Sequence, residues 1–159
     1  MPAADRLRQS VAHAVPRLLA HATPGRRPDP ERWSPAETLG HLVDSALVNH
    51  GRLVRGPSEG LVFEGYDQDA WVEAARYAEA PWPDLVALWR LLNEGLARLL
   101  DAIPDDVLDR EHAAHSLDRT AWQPVPADRP ATLRDVADDY VGHLRHHLRR
   151  IDPALVTDG

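Results

Sequence analysis

Three histidines lie within five positions of one another in YVGHLRHHLRRI: His143, His146 and His147. Imidazole ligates transition metals and carries protons near neutral pH, so spacing decides which chemistry is open. Successive residues of an α-helix are turned by about 100°. On a helix through this segment, Leu133, Val136, Ala137, Tyr140, Leu144, Leu148 and Ile151 share one face. His147 falls near its middle and His143 at its edge, one turn earlier. His146 points well away, toward solvent or a partner. An i, i+4 pair sets two imidazoles side by side, which suits chelation of one ion. Two core histidines with ordinary hydrogen bonds give the same pattern. A metal reading therefore needs a third ligand from a facing helix.

The best candidate is His41 in GHLVDSALVNHGR. It leads a polar stripe of His41, Ser45, Asn49 and Arg52, offset from the apolar face of Leu39, Leu42, Ala46 and Leu53. Such a stripe lines a cavity or faces solvent, and periodicity leaves both open. His50 is nearer the apolar side and reads as a hydrogen-bonded core histidine. His112 and His115, in DREHAAHSLDR, are three residues apart but have no helical register, so they are not read as ligands. Trp33, Trp71, Trp82, Trp89 and Trp122 read as core or helix-packing residues.

Amphipathic helices separated by proline clusters position these groups. The first spans about Ala4 to Ala22, with Leu7, Val11, Val15, Leu18 and Leu19 inward and a kink or break expected at Pro16. The second begins at WSPAETL. Ser34 caps it, Pro35 suits the first turn, and Glu37 completes a capping box; it runs to about Arg55. A short helix follows in YDQDAWVEAARY. The third starts near Pro83, with Leu85, Leu88, Leu92, Leu96, Leu99 and Ile103 as its stripe. The fourth starts at Thr132 and runs to about Ile151, leaving 152–159 as a flexible tail. Strand signals are nearly absent, so the expected fold is all-α, a single-domain four-helix bundle. The connection 104–131 is long for a compact domain, a length often tied to function; covering the site is one role open to it, and the sequence does not assign it.

Composition removes several alternatives. The 159 residues suit one domain. No cysteine is present, which excludes disulfides, thiolate ligands and a cysteine nucleophile. All 18 basic residues are arginine, which excludes a Schiff-base lysine and a P-loop lysine. The formal charge of −7 argues against nucleic-acid binding. With no apolar run of membrane-spanning length and no signal-peptide pattern at the N-terminus, a soluble cytoplasmic protein is expected.

Several passages together resemble the DinB/YfiT-like superfamily of bacterial four-helix-bundle proteins. WSPAETLGHLVDS is similar to the family's second helix with its HxxDS segment. EGYDQDAW is similar to the YDxxAW element that follows, and GHLRHHLRRI to the terminal HxxxH…I helix. The order of these pieces agrees from Trp33 to Ile151. The resemblance implies a divalent metal on His41, His143 and His147, zinc or nickel foremost, then manganese or iron. It implies an enzyme that transfers a low-molecular-weight thiol, such as bacillithiol or mycothiol, to an electrophile in detoxification or stress. Other relatives isomerise maleylpyruvate with a thiol, and others are described as metal-dependent hydrolases. A non-catalytic bundle that binds a metal or ligand is a further alternative. A homodimer is implied by the same likeness. On this reading Asn49 and Arg52 bind the substrate or an anionic part of the thiol. Asp44 is placed to support His41 but reads more simply as an exposed aspartate. Tyr66 and Asp67 belong to the shared element without an assigned role.

Overall fold

The computed structural model describes residues 1–157. Its helices are α1 (Ala3–Leu19), α2 (Pro35–Glu59), α3 (Gln68–Ala75), α4 (Trp82–Ala102), the single-turn α5 (Asp105–Leu108) and α6 (Leu117–Thr120), and α7 (Leu133–Ile151). Two 3₁₀ turns, Tyr77–Glu79 and Pro153–Leu155, complete the list. Among the described residues there is no strand, only isolated bridges between Leu61 and His115 and between His112 and Ala131. No described helix is long and apolar enough to cross a membrane.

The four long helices form a four-helix bundle in which α1 and α2 each pack against both α4 and α7. Consecutive helices α1 and α2 therefore face each other across one diagonal, and α4 and α7 across the other. The core is a single cluster in which Leu7, Leu18, Leu39, Leu42, Trp89, Leu96, Leu133 and Leu144 are fully buried. Burial of each such leucine stabilises the fold by about 1.5–3 kcal/mol. A polar link crosses the diagonal through this core. Tyr140 Oη donates to Asn93 Oδ1 at 2.5 Å, and Asn93 Nδ2 donates to the Trp89 carbonyl at 2.7 Å.

Local sequence fixes where the two site-bearing helices begin. Ser34 and Glu37 form the expected capping box on α2, and Thr132 and Asp135 form another on α7. Each box satisfies otherwise orphaned backbone donors at a helix start. α2 runs one turn past Arg55, to Glu59, and accommodates Pro57. α1 ends at Leu19 and continues through Pro16. That proline sits in the last turn, where only one backbone hydrogen bond is forfeited.

Some expected faces are different. Leu19 and Leu88 are 50% and 46% exposed, and Trp89 takes the buried place on α4. The expected tail packs back on the bundle through residue 157. Leu155 is buried, the Ala154 carbonyl lies 2.9 Å from His13 Nε2, and the Thr157 carbonyl accepts from Arg145. Residues 158 and 159 of that tail lie outside the described residues. The connection 104–131 is also held. Ser116, fully buried, accepts from the Phe63 amide at 2.7 Å and its own amide donates to the Leu61 carbonyl.

Candidate metal centre

α2 and α7 are neighbours in the ring, and their histidines meet between them. His41 Nε2 lies 3.2 Å from His143 Nε2. The ring centroid of His147 lies 4.7 Å from that of His41 and 4.5 Å from that of His143. One nitrogen from each of the three falls within 4.8 Å of the others, a group that could hold a metal ion. His146 is excluded from the group, as the helical count expects. Its ring lies beside Trp122, 5.1 Å between centroids.

The electrostatics follow from burial. His41 is fully buried and His147 nearly so. Burial pushes His41 down to about 4, against a small opposing effect of Asp69. Burial, then the neighbouring histidines and Arg52, lowers His143 to about 3. Burial and the adjacent histidines lower His147 to about 2. All three imidazoles are therefore neutral at physiological pH, the form that ligates metals. Two of their nitrogens, His41 Nδ1 and His147 Nδ1, are buried with no hydrogen-bond partner. Ser45 Oγ lies 3.4 Å from His143 Nδ1. A proton on that nitrogen directs the Nε2 lone pair of His143 toward His41.

Beside the cluster opens a cavity of about 250 Å³, with His143 and His147 in its wall. Ser45, Asn49 and Arg52 line it too, so the polar stripe of α2 faces a cavity rather than solvent. Arg52 Nε is buried without a partner, and burial lowers the pKa of the guanidinium. Opposite stands Asp139, half-buried, whose carboxylate accepts from the amides of Trp122 and Gln123 at 3.1 and 2.7 Å. Burial raises its pKa, and the two amides and Arg52 oppose that rise. These bonds hold the Trp122 backbone at the cavity wall. A Cβ at Gly142 would stand 3.1 Å from the Trp122 ring, so glycine permits the close approach.

The DinB superfamily model matches residues 3–151. The chain belongs to the DinB superfamily. YfiT from Bacillus subtilis, described as a probable metal-dependent hydrolase with an unusual four-helix bundle topology, has a similar structure. The TM-score is 0.74 at 22% identity, over 96% of this chain and 83% of that one. At that identity the likeness is one of fold. Comparison with curated proteins returns no match.

Within this DinB-superfamily bundle, several residues stand elsewhere than the sequence reading placed them. Asp44 is buried, not exposed: Tyr77 Oη donates to its Oδ1 at 2.6 Å, and its Oδ2 has no partner. Tyr77 reaches it because a Cβ at Gly40 would lie 2.0 Å from the tyrosine ring. His50 is exposed rather than in the core. His112 and His115 stay apart from the centre, and His115 is spent on backbone: Nε2 meets the Arg129 carbonyl and Nδ1 accepts from the Leu117 amide. Trp71 and Trp122 are 42% and 40% exposed and are not core. Trp33 stacks near His41 and His147, with centroids 5.1 and 6.5 Å away. Tyr66 lines the cavity, where burial and Asp44 push its hydroxyl up to about 12 against Arg52 and Ser45. Asp67 caps α3 by accepting from the Ala70 amide. Asp139 went unnoticed in sequence. Its one signal is position, a turn before His143 on the row that continues to His147.

Proposed function

We propose that this chain is a divalent-metal-dependent enzyme that transfers a low-molecular-weight thiol to an electrophilic small molecule. The observation that carries the reading is the convergence of three neutral imidazoles, two buried and one partly buried, beside an open polar cavity. His41, His143 and His147 would hold the ion. The 3.2 Å between His41 Nε2 and His143 Nε2 is close to the separation of roughly 3.3 Å implied by two zinc–nitrogen bonds of about 2.0–2.1 Å in a tetrahedron. An all-nitrogen donor set suits zinc or nickel. When bound, the ion supplies a Lewis-acid centre that can activate a thiol or a water.

The remaining work belongs to the chain's own side chains. Arg52 would anchor an anionic group, because its Nε lacks a partner in a buried place where an anion is strongly favoured. Asn49, one turn away toward the histidines, would orient the same molecule. Ser45 holds the His143 ring, and Asp139 keeps the Trp122 backbone at the cavity wall. The chain contains no cysteine, so a sulfur nucleophile would have to enter as a co-substrate.

Hydrolysis is the second reading, favoured by the shared fold with YfiT and that protein's description. The ligands would be the same and no thiol would be consumed.

Elemental analysis of the native chain and four variants tests the metal. Near-stoichiometric metal is expected, lost in His41→Ala, His143→Ala and His147→Ala and retained in His146→Ala. No metal after reconstitution with zinc, nickel, manganese or iron would leave a non-catalytic bundle. Turnover of ester or amide substrates without thiol loss would replace transfer by hydrolysis.

A further inference from the structure

Three large apolar side chains, Leu47, Val62 and Trp71, are 51%, 63% and 42% exposed. They are not scattered. With Val48 and Phe63 they line a single groove of about 500 Å³ between the outer side of α2 and the segment leading into α3. That volume is in the range of small-molecule sites, about 300–1,000 Å³. The groove shares Arg52, Gly65 and Tyr66 with the histidine cavity, so the two hollows meet at one wall.

The wall itself carries chemistry. The Arg52 guanidinium stands 5.3 Å from the Phe63 ring centroid, and its Nε is buried with no partner. Its one hydrogen bond across the wall, to the Glu64 carbonyl, is long at 3.4 Å. Beside it, a Cβ built at Gly65 would meet nothing within 4 Å, which leaves the wall open at that point. The trough is mixed: an apolar stretch of Leu47, Val62 and Trp71 lies among Arg55, Glu59 and Glu64 and meets the Arg52 guanidinium at one wall. It offers contacts to a molecule with an apolar body and one anionic group placed at Arg52, away from the two glutamates.

We propose that this groove is a binding site for an amphipathic small-molecule anion. The alkyl or aryl body lies on Leu47, Val62 and Trp71, the anionic group sits at Arg52, and the far end reaches past Gly65 toward the histidines. The assignment deepens the proposed function and rests on its reading of the cavity as a substrate site.

The test uses 8-anilinonaphthalene-1-sulfonate, an aryl sulfonate anion, on the metal-free chain, with thermal melting to show that each variant is folded. Val62→Asp and Trp71→Ala are expected to weaken binding about tenfold, and Arg52→Met about fivefold. Leu91→Asp, at an exposed leucine outside the groove, is expected to leave binding unchanged. Straight-chain carboxylates from butanoate to decanoate should displace the probe with rising strength, up to about fourfold per added methylene. His146→Ala, which lines neither hollow, is expected to bind the probe normally, and metal content is measured separately on the native chain. Failure of the metal reading would thus appear in metal content alone, and failure of the groove in probe binding alone. Equal binding by the groove variants, or binding only to chains without a cooperative melt, would overturn the proposal. So would a native dimer that ignores the probe and that Val62→Asp dissociates, because a second copy would then cover the groove.

Discussion

Two histidine pairs in this molecule have almost the same spacing and opposite fates. His143 and His147 are four residues apart on α7, and His112 and His115 three apart in the connection before it. In the first pair the rings face a third imidazole, and His147 keeps a buried nitrogen with no partner. In the second, both nitrogens of His115 are engaged by the backbone of its own loop. Buried polar atoms are almost always hydrogen-bonded. A histidine whose nitrogens are both satisfied by backbone is a structural cross-link, whereas imidazoles that meet one another and keep further nitrogens without a partner have capacity left for a ligand. Spacing does not separate the two cases; partners do.

The largest effect should come from exchanging the pairs as targets. His143→Ala or His147→Ala is expected to reduce metal affinity by about a hundredfold or more. His112→Ala and His115→Ala should leave it unchanged, as measured by competition with a chromogenic chelator. Metal loss from His115→Ala would erase the distinction drawn here.

Acid should act on the central cluster next. His41, His143 and His147 titrate at about 4, 3 and 2 in the fold against an ordinary 6.5. The unfolded chain therefore takes up protons that the native chain refuses, and stability falls as pH drops below about 6.5. It keeps falling to about 4 for His41 and lower for the other two. The melting temperature of the metal-free chain should decline across pH 6.5 to 4. The decline should be shallower in a His143→Ala, His147→Ala double variant, and an equal slope would show that the cluster is not its source.

Smaller effects divide the connecting loop. His115→Ala removes two backbone anchors and should cost about 1–2 kcal/mol in denaturant unfolding, with metal content intact. Asp139→Ala frees the Trp122 and Gln123 amides and should cost about 1 kcal/mol. Amide exchange should then accelerate at those two positions and not at the His112–Ala131 bridge. Acceleration at both would mean that the cavity wall and the bridge move as one unit.

The bundle was legible because each long helix repeats its apolar residues at helical spacing, and the two site-bearing helices, α2 and α7, announce their starts with capping boxes. His143 and His147 could be separated from His146 by angle alone. The exceptions share a cause: distant chain decides them. Asp44 looks like a surface carboxylate until Tyr77, 33 residues on, covers it. Leu88 fits the α4 stripe, yet the ring of neighbours around α4 selects Trp89 instead. Asp139 has no local mark because its partners are amides in an irregular loop. The stripe from His41 to Arg52 became a cavity wall only once α7 and Trp122 stood opposite it.

The chain order of the two site-bearing helices also orders events in time. His41 and His143 are 102 residues apart in the chain, and α7 is synthesised well after α2. At translation rates of about 5–20 residues per second, a nascent chain spends several seconds carrying His41 without its counterparts. During synthesis the three imidazoles therefore come together only once α7 docks, and a ligand that needs all three has no complete site before then. Occupancy of the three histidines would then report on chains that have finished folding, and a stalled or clipped chain lacking α7 would be blind to the ion.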